Sequence, residues 1–199
     1  MTAILKVDTI QDTAGNNIIN ESSDTITIGA SGDTIALAGT TVTGITQGIT
    51  QADQWRLTAN IDGTNAVITA NLSQVSGAVV GSGMSVSSGI FTFPATGVYL
   101  IIARLEFSAI KNSDNVFLST NLTTNNSSYT EIDRPGFSNK MGSDAGDGIT
   151  STGISFVDIT NTSTHKVRFE TESMTSGTIF AGSSSVNKTT FSFIRLGDT

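Results

Sequence analysis

The run Gly89-Ile90-Phe91-Thr92-Phe93-Pro94-Ala95-Thr96-Gly97-Val98-Tyr99-Leu100-Ile101-Ile102-Ala103-Arg104-Leu105-Glu106-Phe107 decides how this chain folds. Side chains alternate along a strand, so Phe91 and Phe93 share one face. Pro94 cannot donate to a ladder and Gly97 frees the backbone, which places a corner between two strands. The second strand is apolar on both sides. Tyr99, Ile101, Ala103, Leu105 and Phe107 form one face; Val98, Leu100 and Ile102 form the other, before Arg104 and Glu106. An antiparallel sheet usually leaves one face wet, so a second apolar face calls for a second burial partner. A further copy of the chain is the expected partner.

Outward from this stretch the same pattern recurs. Gln54 to Ala59 alternates, with Trp55, Leu57 and Ala59 expected inward, and Asp62-Gly63 signals a turn. Val67–Leu72 reads as strand. Val79 to Met84 leads into the central pair. Val116–Thr123 is a strand between the turns Lys111–Asn115 and Thr124–Ser128, and Tyr129–Ile132 is a short one. Asp133–Ile149, with Pro135 and four glycines, reads as a long loop. Ile154–Ile159, His165–Thr171, Thr178–Gly182 and Thr189–Leu196 complete a series of short strands with no sustained helical period. The expected class is all-β, a sandwich or jelly roll.

Composition agrees. The chain has 199 residues, 37% of them hydrophobic, and 20 glycines. Charged residues make up 14%, well under the ~25% of ordinary globular proteins. The net charge is −7, and no cluster of Lys and Arg exists to neutralise phosphates, so nucleic acid is not an expected partner. With no cysteine, disulfides and thiolate metal sites are excluded. The first residues lack a basic stretch followed by an apolar one, so no signal peptide is expected. No apolar run reaches the ~18–20 residues of a membrane-spanning helix.

Residues 1–46 read as a separate region. Ile4, Leu5, Val7 and Ile10 lie in an arm too short to fold alone, and are expected to dock on another protein. Residues 23–46 hold a small repeat. Asp24-Thr25-Ile26-Thr27-Ile28-Gly29 returns as Asp33-Thr34-Ile35-Ala36-Leu37-Ala38, and a shorter copy follows around Val42. Such units bury little unless stacked or wound with other chains, which suggests a short stalk. Residues 47–199 form the head.

Candidate chemistry is sparse. His165 is the only histidine, and its alternation with Val167 and Phe169 favours a structural role over that of a base. Glu131 with Asp133, and Asp144 with Asp147, are the carboxylate pairs a glycan hydrolase would need. Asp144 and Asp147, in a Gly-rich loop, are also oxygen donors suited to calcium. No other cofactor is expected.

The central stretch, from Gly89-Ile90-Phe91-Thr92-Phe93-Pro94 to Thr96-Gly97-Val98-Tyr99-Leu100, resembles the C1q/TNF-like jelly-roll superfamily. The closing strand Thr190-Phe191-Ser192-Phe193-Ile194-Arg195-Leu196-Gly197 resembles that family's last strand, and Trp55 and Met84 stand where phage members carry similar residues. The resemblance covers about residues 47–199 and implies a compact homotrimer. Residues 5–17, with the Asp-Thr-Ile repeats, resemble the amino end of fibre and surface proteins of tailed bacteriophages. Together the two imply a trimeric, non-enzymatic virion surface protein, made in the host cytoplasm. It would be a capsid decoration or short head fibre anchored by its arm to capsid or tail proteins. A receptor-binding tail fibre or spike that contacts a host glycan or receptor is the alternative, and a depolymerase the weaker one. Val98, Leu100 and Ile102 are the expected trimer interface.

Overall fold

A computed structural model describes residues 48–139, 142–144 and 148–199. The arm, the stalk and the anchoring residues Ile4, Leu5, Val7 and Ile10 lie outside the described residues. So does Asp147.

The described strands, in chain order, are β1 (Ala52–Leu57), β2 (Ile61–Asp62), β3 (Leu72–Val80), β4 (Ser85–Ser87), β5 (Ile90–Thr92), β6 (Gly97–Ala109), β7 (Asn115–Thr123), β8 (Thr130–Asp133), β9 (Gly136–Ser138), β10 (Ile149–Ile159), β11 (Lys166–Glu172), β12 (Ile179–Phe180) and β13 (Thr190–Gly197). They form two antiparallel sheets. One runs β2-β12-β6-β13-β1-β3, with β10 along the other side of β6; the second runs β4-β5-β11-β7-β8, with β9 also on β7. The all-β expectation holds.

Alternation places the core between the sheets. In β6 every odd residue from Tyr99 to Phe107 is buried and every even one is partly exposed. Phe91 and Phe169 come from the six-stranded sheet, and Trp55, Phe191 and Phe193 from the seven-stranded one. Their rings meet in one cluster: Phe169 stacks on Phe191 with centroids 4.1 Å apart, and Phe91 meets Phe193 at 5.1 Å and Trp55 edge-on at 5.5 Å. Such contacts add ~0.5–1.5 kcal/mol each beyond the burial of the rings.

The corner at Pro94–Gly97 has a different role from that of a hairpin turn. β5 pairs with β4 and β11, whereas β6 pairs with β10, β12 and β13. The corner therefore carries the chain from one sheet to the other. Gly97 has φ +139°, and a Cβ there would lie 2.4 Å from the Gly197 carbonyl oxygen, so the strand ends are close enough to exclude any side chain.

Three other readings are corrected. Ala59 is exposed, because β1 ends at Leu57. Val67 forms only an isolated bridge to Glu170, and β3 begins at Leu72. Within 133–149 the chain is not loop throughout: β9 pairs with β7 from Gly136 to Ser138, and Ile149 already belongs to β10.

Two buried aspartates tie segments together. Asp53 is 4% exposed; its carboxylate accepts from Trp55 Nε1 (2.8 Å), Gln74 Nε2 (3.0 Å) and the Met84 N–H (2.6 Å). Asp114 accepts from the Thr175 N–H (3.2 Å) and the hydroxyls of Thr175 and Thr178. A buried carboxylate is tolerable when donors surround it in this way.

Candidate functional site

The site is the outward face of the seven-stranded sheet. Val98, Leu100 and Ile102 all lie on it, partly exposed. Register extends the face across the sheet. Phe156 on β10 pairs with Leu100 on β6, Leu100 with Ile194 on β13, Ile194 with Ala52 on β1, and Ala52 with Val80 on β3. Directly opposed residues put their side chains on the same face, so five strands contribute one continuous apolar row. A second row starts apolar and turns polar: Ile154, Ile102, Ser192, Gln54. The third, Thr152, Arg104, Thr190 and Arg56, is polar throughout. The face is thus oily at one end and charged at the other.

The row is open to solvent. Phe156 is 68% exposed, Ile154 59% and Val80 48%. Single exposed apolar side chains are ordinary, but a contiguous apolar patch marks an interaction surface. At ~1.5–3 kcal/mol for full burial of one large apolar side chain, covering this row would outweigh any of the described surface ion pairs, which contribute at most ~1 kcal/mol each.

Ile154, Phe156, Ile194 and Val80 were missing from the sequence-based interface. The signal was present: along 154–159, Ile154 and Phe156 alternate with Val157 and Ile159, so this strand too is apolar on both faces.

The other candidates are dispersed and engaged. Asp144 is bound to Lys111 Nζ (2.7 Å) and to the Asn112 N–H (2.9 Å). The Lys111 hydrogen bond holds its carboxyl below the ordinary range and raises the lysine in return. Glu131 is paired with Arg134 (2.7 Å), which also meets Glu172 (3.0 Å) and lies over the Phe117 ring. Glu131 and Asp133 do not share one face. Register sets Asp133 opposite Thr120 and Glu131 opposite Asn121, across a β-bulge, so the first points inward and the second outward. His165 sits in the turn before β11, with Nδ1 3.1 Å from the Thr164 hydroxyl. Among the described residues no group of three or more His, Asp or Glu is gathered as a metal site would require.

No family model matches the chain, and no curated protein matches it in sequence. Solved structures do match in shape. The crystal structure of murine APRIL at pH 8.5 aligns with a TM-score of 0.54 at 10% identity, covering 73% of this chain and 98% of that one. The structure of Eiger TNF from S. frugiperda aligns at 0.56 and 10% identity, covering 74% and 93%. Murine APRIL at pH 5.0 gives 0.52 at 11% identity, covering 73% and 98%. At such identity the likeness shows the fold: the head is a TNF-like jelly roll.

Proposed function

We propose that this chain is a structural, non-enzymatic surface protein of a tailed-bacteriophage particle. Three copies associate through the outward face of the seven-stranded sheet. The observation that carries the self-association is the apolar row from Phe156 through Leu100 and Ile194 to Val80. In a closed ring of three this face of each copy turns toward the three-fold axis and is buried against its two neighbours, which satisfies all copies alike. The jelly-roll head would then project from the particle, with Ile4, Leu5, Val7 and Ile10 anchoring the arm. The virion role rests on the resemblance of residues 5–17 and the Asp-Thr-Ile repeats; residues 23–46 span at most about 80 Å even when fully extended, which argues against a far-projecting tail fibre and fits a capsid decoration and a short spike equally well.

Cryo-electron microscopy of the particle with and without this chain tests the proposal. Loss of density on the head lattice is the expected result. Loss at the tail or baseplate would replace it with the adhesin reading, and no loss anywhere would refute the virion role.

A further inference from the structure

The chain between β2 and β3 does not cross directly from one strand to the next. Together with β2 and Thr171 of β11 it walls a concave pocket of about 260 Å³.

The wall is fixed by the body of the head. Its ends are joined where the Thr58 N–H donates to the Asn71 carbonyl at 2.7 Å. Its middle is pinned to β11: the Ile68 N–H donates to the Phe169 carbonyl (2.9 Å), and the Thr171 N–H to the Ala66 carbonyl (3.0 Å). The Asn65 side chain donates to the Met174 carbonyl (3.0 Å) and accepts from the Met174 N–H (2.7 Å). Ile68, 5% exposed, anchors the segment in the core. A wall held in this way loses little further entropy on binding, and long ordered loops are where binding residues concentrate.

The lining identifies the class of ligand. Asn60, Asp62, Thr69 and Asn71 give the pocket amides, a hydroxyl and one carboxylate, and Ile61 and Val67 give it an apolar side. Two of the polar side chains are already oriented. Asn60 Oδ1 accepts from the Gly182 N–H (2.9 Å) and Asp62 Oδ1 from the Gly177 N–H (2.7 Å), which leaves Asn60 Nδ2 and Asp62 Oδ2 available to a ligand. Among the described residues no Lys, Arg or His lines the pocket, so an anion would find no countercharge. A wholly apolar ligand would cover Asp62 without a partner. No group of three or more His, Asp or Glu is gathered for a metal ion among the described residues.

A ring with hydroxyls on its rim and C–H groups on its face suits every part of this lining. Each hydroxyl donates to a carboxylate or amide oxygen and accepts from an amide N–H, while the C–H face covers Ile61 and Val67. The volume falls just below the ~300–1,000 Å³ of sites for drug-sized ligands, which suits one ring rather than several. We infer that this pocket binds a single uncharged sugar ring. The inference rests neither on the virion role nor on the number of copies.

The test is a titration of the full chain, labelled with nitrogen-15, with galactose, glucose, mannose, rhamnose and N-acetylglucosamine in turn, followed by amide NMR spectra. At least one of these sugars is expected to move the amide signals of residues 60–71 and 171 and to leave the other strands unmoved. The expected Kd is about millimolar, the strength that about twelve non-hydrogen atoms support. Asp62→Asn keeps an acceptor for the Gly177 N–H and should weaken binding about tenfold, the equivalent of one hydrogen bond to a charged group. Ala70→Phe, at an exposed position of the lining, fills the pocket and should abolish binding. No movement with any of the sugars, movement confined to other residues, or an unchanged affinity in Ala70→Phe would overturn the site. The same movement with calcium chloride alone would overturn the sugar in favour of a cation.

Discussion

The two sheets of this head face outward with opposite chemistry. Across the seven-stranded sheet the exposed row is Phe156, Leu100, Ile194, Ala52, Val80. Across the six-stranded sheet the outward positions of β7 and β11 are charged or polar apart from Phe117, over whose ring Arg134 lies. Arg168 lies 4.1 Å over the Tyr129 ring, Arg134 bridges Glu131 and Glu172, and Ser119 and Asn121 are hydrogen-bonded beneath them. Both faces alternate against the same core, so the fold itself does not require the difference. A charged lattice of long side chains suits water; an apolar row suits protein. Under the proposed self-association, the contrast gives the seven-stranded sheet to assembly and leaves the other to solvent.

The comparison breaks most severely with Leu100→Asp. Leu100 stands in the middle of the apolar row, and a carboxylate there would have to be buried without a partner in each interface. Complete conversion of the assembly to monomers with an unchanged circular dichroism spectrum is expected; an intact assembly would mean that this face is not the interface. Phe156→Ala sharpens the same point. It removes most of one exposed aromatic side chain and should weaken association by about 1.5–3 kcal/mol per copy, read as a higher midpoint in a dilution series.

On the other sheet the expectation is reversed. Arg168→Ala deletes the contact with Tyr129 and should cost folding stability of about 0.5–2 kcal/mol, a fall of a few degrees in Tm, with no change in oligomeric state. The smallest effect concerns the exposed Lys111–Asp144 pair. Asp144 has its folded pKa depressed by Lys111, so its contribution is present above the unfolded carboxylate value of about 4 and fades as pH falls through the folded one. Thermal melts of wild type and Asp144→Asn should differ slightly near neutral pH and converge in acid.

Much of this was legible from residue order. Alternation in 98–107 placed Tyr99, Ile101, Leu105 and Phe107 in the core, and Val98, Leu100 and Ile102 on the opposite face, because strand geometry makes a face of every second residue. What alternation does not carry is partnership. Phe91 and Tyr99 are close in sequence and both buried, yet their strands lie in different sheets; a corner and a hairpin use the same Pro and Gly. The same limit hid the full row, since Phe156, Leu100 and Ile194 become neighbours only through register. Asp133 shows a third limit. Its Pro/Gly neighbourhood reads as the start of a long loop, whereas pairing with β7 makes it the last residue of β8, opposite Thr120.

The most direct test of the central claim is sedimentation equilibrium of the full-length chain beside its Leu100→Asp variant. The account predicts a wild-type mass three times the 20.6 kDa of one chain, and a variant at the monomer mass. A monomeric wild type, or a variant that keeps the wild-type mass, would contradict it.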